Sequence, residues 1–270
     1  MDWESILLKC GENVHRQIIP LLKGASQKGP NLGVGAGGDP IKHVDLVAEK
    51  AIIDTLISHN VSFTLISEES GIRQYGENPK QNYVTVDPID GTTNLTRGIP
   101  FYATSIAVSS KPTLNSVHAA LVTDLLRKIT YTAEKGKGAH RNGEKIFPSD
   151  ETSLEEAVIG LDLNTYKVRE IAPKITDLIS RTKHIRHLGA NALELCYVAD
   201  GTTDAFIDIR GKLRVTDTAA AWLIIKEAGG KITRPDGEEL SSKLDPKERV
   251  NFVASGNMKL HKIILELIKA

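Results

Sequence analysis

The sequence predicts a layered α/β fold in which β-sheets are sandwiched between pairs of helices. Three observations carry this. Apolar residues recur at helical spacing near both ends of the chain. Short apolar runs with turn signals fill residues 61–133. After residue 150 strands and helices alternate. With 270 residues, the chain is long enough to bury most of its unfolded surface without disulfides or structural metal.

Ile6, Leu7, Cys10, Val14, Ile18 and Leu21 mark one buried stripe of a first helix ending near Gly24. Residues 29–40 are rich in glycine and carry two prolines, a composition that excludes helix and strand. A second helix starts near Asp45, with Leu46, Ile52, Ile53 and Leu56 on its face. Val61–Ser67 and Tyr83–Val86 read as strands that deliver Glu68, Glu69 and Asp87 at their ends. Ala103–Ser109, Val117–Val122 and Ile129–Ala133 read as antiparallel strands, and Asn142-Gly143 is a hairpin signal. Further on, strands are expected at Val158–Asp162, His184–Leu188, Asp204–Ile209 and Asn251–Ala254. Helices are expected at Lys167–Ser180, Ala190–Ala199, Thr218–Ala228 and Met258–Lys269. The chain divides near residue 150, with no linker there flexible enough for independent domains.

Lys+Arg and Asp+Glu both number 34, so net charge gives no reason to expect nucleic acid or a membrane surface as partner. Cys10 and Cys196 lie among apolar residues, outside any zinc-type cluster, and read as small buried hydrophobes. Met1–Cys10 lacks the order of a signal peptide, and the longest unbroken apolar stretch, Ala219–Ile225, is far short of a membrane span. A cytoplasmic protein is expected. His43, His118, His140 and His187 are scattered, and no Ser, Cys or His stands in a triad context.

Carboxylates gather at element ends. Glu68 follows one strand, Asp87 and Asp90 flank Pro88 after the next, and Asp217 stands at the start of an apolar helix. Alone, Asp87-Pro88-Ile89-Asp90-Gly91-Thr92 reads equally as a tight turn, and Asp217 as a helix N-cap. Together, on adjacent strands, the acids would repel unless one takes a proton or a cation is present. Hard oxygen ligands of this kind suit Mg²⁺, and the backbone amides of the turn after Asp90 could cradle a phosphate.

Ser67-Glu68-Glu69-Ser70, Asp87-Pro88-Ile89-Asp90-Gly91-Thr92 and Val215-Thr216-Asp217-Thr218-Ala219-Ala220 occur in order over 45–230. This set resembles the inositol monophosphatase-like metal-dependent phosphatases. Leu161–Tyr166, Leu193–Ala199 and Asp204–Asp217 are similar to the archaeal type, which hydrolyses fructose 1,6-bisphosphate and inositol phosphates. The resemblance implies an αβαβα sandwich, a homodimer (tetramer as the alternative), and residues 1–270 forming one phosphatase unit. Its lobes would be a metal-binding 1–150 and a substrate-binding 151–270. It implies two or three Mg²⁺ ions per site, with Mn²⁺ as a substitute, and a small phosphate ester as ligand.

Residue by residue, Glu68, Asp87 and the carbonyl of Ile89 resemble ligands of a first metal, and Asp87, Asp90 and Asp217 those of a second. Thr92 and Asp45 resemble the pair that orients an attacking water beside Glu68. The amides of Gly91 and Thr92 would hold the phosphate. Gly189, Ala190 and Asn191 match a substrate-contacting turn, Asp208 an acidic position that binds sugar hydroxyls, and Tyr166, Arg186 and Arg210 are candidate sugar-phosphate contacts. The archaeal pattern carries an acid where this chain has Gly37, so Asp39 either holds a third metal from a shifted position or leaves that ion held more weakly. The implied reaction is direct attack of a metal-activated water on a phosphate monoester, and Asp90→Asn is expected to silence turnover with the fold intact. A 3′-phosphoadenosine 5′-phosphate phosphatase and a non-catalytic sugar-phosphate-binding protein are the alternatives.

Overall fold

A computed structural model of the protein describes residues 1–22, 35–38, 42–163 and 168–268. In chain order the elements begin with α1 (Trp3–Leu22), α2 (His43–Ser58), β1 (Phe63–Ser67), β2 (Gly71–Tyr75) and β3 (Tyr83–Asp90). Next come α3 (Thr92–Arg97), β4 (Ala103–Ser109), β5 (Val117–Asp124), β6 (Ile129–Glu134), β7 (Gly138–Arg141) and β8 (Glu144–Lys145). They continue with β9 (Val158–Leu161), α4 (Val168–Arg181), β10 (His184–Arg186), α5 (Asn191–Ala199) and β11 (Ala205–Arg214). The last are α6 (Val215–Ala228), β12 (Lys231–Thr233), β13 (Arg249–Ser255) and α7 (Met258–Leu267).

The strands form two sheets. The larger runs β2-β1-β3-β4-β5-β6-β7-β8, and the smaller β10-β9-β11-β13-β12. Helices α1 and α2 cover one face of the larger sheet. The pair α5 and α6 fills the space between the sheets. Helices α4 and α7 cover the far face of the smaller sheet. The result is the αβαβα sandwich. Its middle layer explains the unbroken apolar run of α6. A helix between two sheets has no solvent face, so Ala219 through Ile225 are all buried. Each fully buried Leu or Ile there stabilises by about 1.5–3 kcal/mol relative to exposure. The alanines let both sheets approach, so enlarging one would overpack the layer.

Two boundaries differ from the sequence reading for reasons that bear on the site. Strand β3 continues through Pro88 to Asp90. Its ladder with β1 stops at the Ser67–Val86 pair, and its ladder with β4 shifts register between Asp87 and Asp90. A proline without an N–H is tolerated where the ladder is interrupted. Strand β11 likewise runs on to Arg214, across a register shift between Asp208 and Leu213 in which Gly211 adopts φ +64°. It passes directly into α6, so Asp217 is the third residue of that helix and not its N-cap. At the predicted hairpin, Asn142 and Gly143 have φ +53° and +82°, the left-handed pair that joins β7 to β8. Strands β2 and β12 and helix α3 were not expected. None of the helices among the described residues is long and apolar enough to cross a membrane.

Candidate metal centre

β1 and β3 are parallel neighbours, so both run out at the same edge of the larger sheet. The crevice beyond the carboxyl ends of parallel strands is where α/β folds place ligands. Glu68 follows β1 directly, and Asp87 and Asp90 lie in the part of β3 that extends past β1. The first turn of α6 brings Asp217 from the middle layer. Ligand oxygens of Glu68, Asp87 and Asp217 lie within 4.8 Å of one another. They open on a cleft of about 920 Å³, also lined by Ile89, Asp90, Gly91 and Thr92.

The electrostatics are those of crowded acids. Burial first, then mutual repulsion, raises Glu68 and Asp87 well above the ordinary carboxylate range. Burial, then Asp217, pushes Asp90 up to about 8 against the lowering effect of two amide hydrogen bonds. Asp217 is raised chiefly by burial. Burial takes Asp45 to about 6, and burial reinforced by Asp45 and Glu49 takes Glu69 to about 7. Asp87 Oδ1 is buried with no hydrogen-bond partner in the protein. An uncompensated buried carboxylate oxygen is costly, and a divalent cation relieves both that cost and the repulsion. The donor set, carboxylates and a carbonyl with no sulfur or imidazole, fits Mg²⁺ or Mn²⁺.

Thr92 Oγ1 lies 2.9 Å from the Ile89 carbonyl and 3.4 Å from Asp45 Oδ1, which couples α2 to the start of α3. Asp45 also accepts the Lys42 amide, which fixes it in the first turn of α2. Gly91 has φ +87°, and a Cβ there would lie 3.0 Å from both Ala190 Cβ and the Phe101 carbonyl. Asp90 accepts the amides of Asn191 and Ala192, and Asn94 donates to the carbonyls of Phe101 and Leu188. These bonds join the larger sheet to the start of α5. Beneath Glu68, the carboxylate of Glu49 accepts the Ser67 hydroxyl and the Ser70 amide.

A family model described as the inositol monophosphatase family matches residues 3–270. The chain belongs to that family. It is 39% identical to the fructose-1,6-bisphosphatase/inositol-1-monophosphatase of Methanothermobacter thermautotrophicus, over 99% of this chain and 96% of that one. It is 35% identical, over 97% of its own length and 48% of the relative's, to a bifunctional NADP phosphatase/NAD kinase of Methanococcus maripaludis. The solved structure of an inositol monophosphatase–fructose 1,6-bisphosphatase superposes with a TM-score of 0.87 at 34% identity, covering 99% of this chain and 100% of the other.

Against this inositol monophosphatase frame the expected substrate residues separate. Gly189, Asn191 and Arg210 line the cleft beside the acids. Ala190 is buried, precedes the first residue of α5 and packs at Gly91. Asp208 is buried outside the cleft lining, with both oxygens on Arg210. Arg186 is exposed and also outside that lining; its Nη1 donates to the Ile185 carbonyl. Tyr166 and Asp39 lie outside the described residues. A side chain at Gly37 would have to displace Arg214, since a Cβ would stand 2.6 Å from its Nε. Sequence reasoning missed Arg214, Arg249, Asp162 and Lys212 of the cleft wall. Arg214 carried a signal, its spacing of three before Asp217 at a helix start; the others had none.

Proposed function

We propose that this inositol monophosphatase family member is an Mg²⁺-dependent phosphomonoesterase that hydrolyses fructose 1,6-bisphosphate, inositol monophosphate or both. The observation that carries the reading is the convergence of Glu68, Asp87 and Asp217 around the unpartnered Asp87 Oδ1. Glu68, Asp87 and the Ile89 carbonyl would hold one ion and Asp87, Asp90 and Asp217 a second, with Mn²⁺ as a substitute. Such ions, when bound, activate a water and stabilise charge on the phosphate and leaving oxygens.

The chain's own residues then do the following. Thr92, with its hydroxyl between Ile89 O and Asp45, orients the attacking water, and Asp45 holds that hydroxyl and receives the displaced proton. The amides of Gly91 and Thr92 bind the phosphate. Gly189, Asn191 and Arg210 meet the rest of the ester on the opposite wall. The carboxylate cluster, by concentrating positive charge at the phosphate, supplies most of the acceleration, because one general base contributes only about 10²–10⁴. Residues 1–150 act as the metal-binding lobe, completed by Asp217, and 151–270 as the lobe that meets the rest of the substrate, in a cytoplasmic homodimer.

The test is phosphate release, with Mg²⁺ and with chelator, from fructose 1,6-bisphosphate, inositol 1-phosphate, NADP and 3′-phosphoadenosine 5′-phosphate. Sugar or inositol phosphate should give the highest kcat/KM and chelator should abolish it. A dominant nucleotide substrate would overturn the substrate assignment. Mg²⁺ binding without release from any ester would revive a purely binding role.

A further inference from the structure

The cation already among the candidate ligands is Arg214. Its Nη1 lies 2.9 Å from Glu68 Oε2 and 3.9 Å from Asp217 Oδ2, so one guanidinium spans two of the three clustered acids. On its other side, Nε donates to the carbonyl of Gly37 at 3.3 Å, and Arg249 Nη2 donates to the same oxygen at 2.8 Å. The segment 35–38 is further seated by the Gly37 amide on Glu68 O at 2.7 Å and the Ala36 amide on Glu69 O at 3.1 Å. Gly37 is what lets the segment sit so close: a Cβ would stand 2.6 Å from Arg214 Nε and 3.0 Å from Glu68 Cβ.

We propose that Arg214 is a displaceable counter-cation, which holds Glu68 and Asp217 together until a divalent ion takes their oxygens and which transmits that exchange to the segment at Gly37. The physical case is competition. Mg²⁺ needs its ligand oxygens at about 2.0–2.1 Å in near-octahedral array. Arg214 faces one oxygen each of Glu68 and Asp217, two of the three carboxylates that such an ion would claim. A dication and a guanidinium on one carboxylate pair repel, so the side chain yields. Its planar fork, bridging acids on one edge and a carbonyl on the other, makes release from Glu68 shift the bond to Gly37 as well. Arg249 grips the same carbonyl and keeps the segment attached.

The inference rests on the metal reading above, and measuring Mg²⁺ binding directly separates the two. Isothermal titration calorimetry is run on the wild type, Arg214→Met, Arg249→Met and Asp87→Asn. Arg214→Met should bind Mg²⁺ more tightly by roughly tenfold, the equivalent of one charge-assisted bond no longer broken. Its unfolding temperature in chelator should fall below wild type. Arg249→Met, whose charge acts on Asp217 without an ion pair to it, should raise Mg²⁺ affinity clearly less than Arg214→Met does, and Asp87→Asn should bind weakly or not at all. Equal or weaker binding by Arg214→Met would overturn this inference while leaving the metal site standing. No binding by the wild type would overturn both. Should Arg214→Met fail to fold, Arg214→Lys identifies the Arg214 Nε–H NMR signal by its loss. In the wild type that signal should move on adding Mg²⁺. An unmoved Arg214 signal at saturating Mg²⁺ overturns the displacement.

Discussion

Asp90 accepts the amide of Ala192 on Oδ2 at 2.7 Å, and its other oxygen accepts the neighbouring amide of Asn191 at 3.0 Å. A carboxylate at the end of one sheet thus caps a helix of the middle layer 102 residues away. The first amides of a helix have no partner within it, and a carboxylate there also faces the positive end of the helix dipole. Asp90→Asn keeps one acceptor oxygen and turns an NH₂ group towards the second amide. The expected result is a kcat lower by at least about 100-fold. Stability in Mg²⁺ should also fall by about 1–2 kcal/mol, the scale of a lost cap. Steady-state rates and thermal unfolding check both. The sequence alone gave reason to expect loss of turnover with the fold intact; the cap adds the stability cost. A variant with near-normal kcat at saturating Mg²⁺ would remove Asp90 from the site.

Gly91 separates two costs that one residue usually combines. Its φ of +87° penalises any side chain, and a Cβ 3.0 Å from both Ala190 Cβ and the Phe101 carbonyl would fit only if those neighbours gave way. Asparagine tolerates positive φ better than alanine, so strain alone would make Gly91→Asn the milder change. Because the contact is also closed, both variants should lose about 1–3 kcal/mol. Unfolding temperatures of the two variants measure this, and a Gly91→Asn protein as stable as wild type would show that the contact relaxes.

The acids of the site were legible in the sequence because their chemistry is local. Glu68 and Asp87 directly follow the recognisable apolar runs 61–67 and 83–86, and Asp87-Pro88-Ile89-Asp90-Gly91-Thr92 is compact enough to read as one unit. The layers were legible because α1 and the strands at 103–133 keep clear apolar periods. What escaped were side-chain contacts that neither a motif nor a period marks. Asp208 and Arg210 stand two apart on β11 and so share a face, where Arg210 takes both oxygens of Asp208; the alternation of the strand does not say which of the two reaches the cleft. Short edge strands such as β12 carry too few residues for a period to register. The start of α6 at Val215 was hidden because β11 runs into it without a loop or a capping residue to mark the join.

Away from the site, His261 supplies a prediction on acid stability. It is buried at the start of α7, with Ser255 Oγ 2.8 Å from Nδ1 and Thr233 Oγ1 2.9 Å from Nε2. Burial first, then Lys231, lowers its pKa to about 4. The two hydroxyls beside the ring offer no negative charge to an imidazolium. Between about pH 4 and the unfolded value near 6.5 the unfolded chain binds more protons at this position. Its contribution to stability is therefore complete above that window and is lost as pH falls through it. Glutamine at 261 keeps a donor and an acceptor without titrating. The unfolding temperature of wild type relative to His261→Gln should thus drop on going from neutral pH to about pH 4.5. A difference that stays constant across that range, or an NMR titration of His261 near its ordinary pKa, would show that the buried ring accepts a proton without cost.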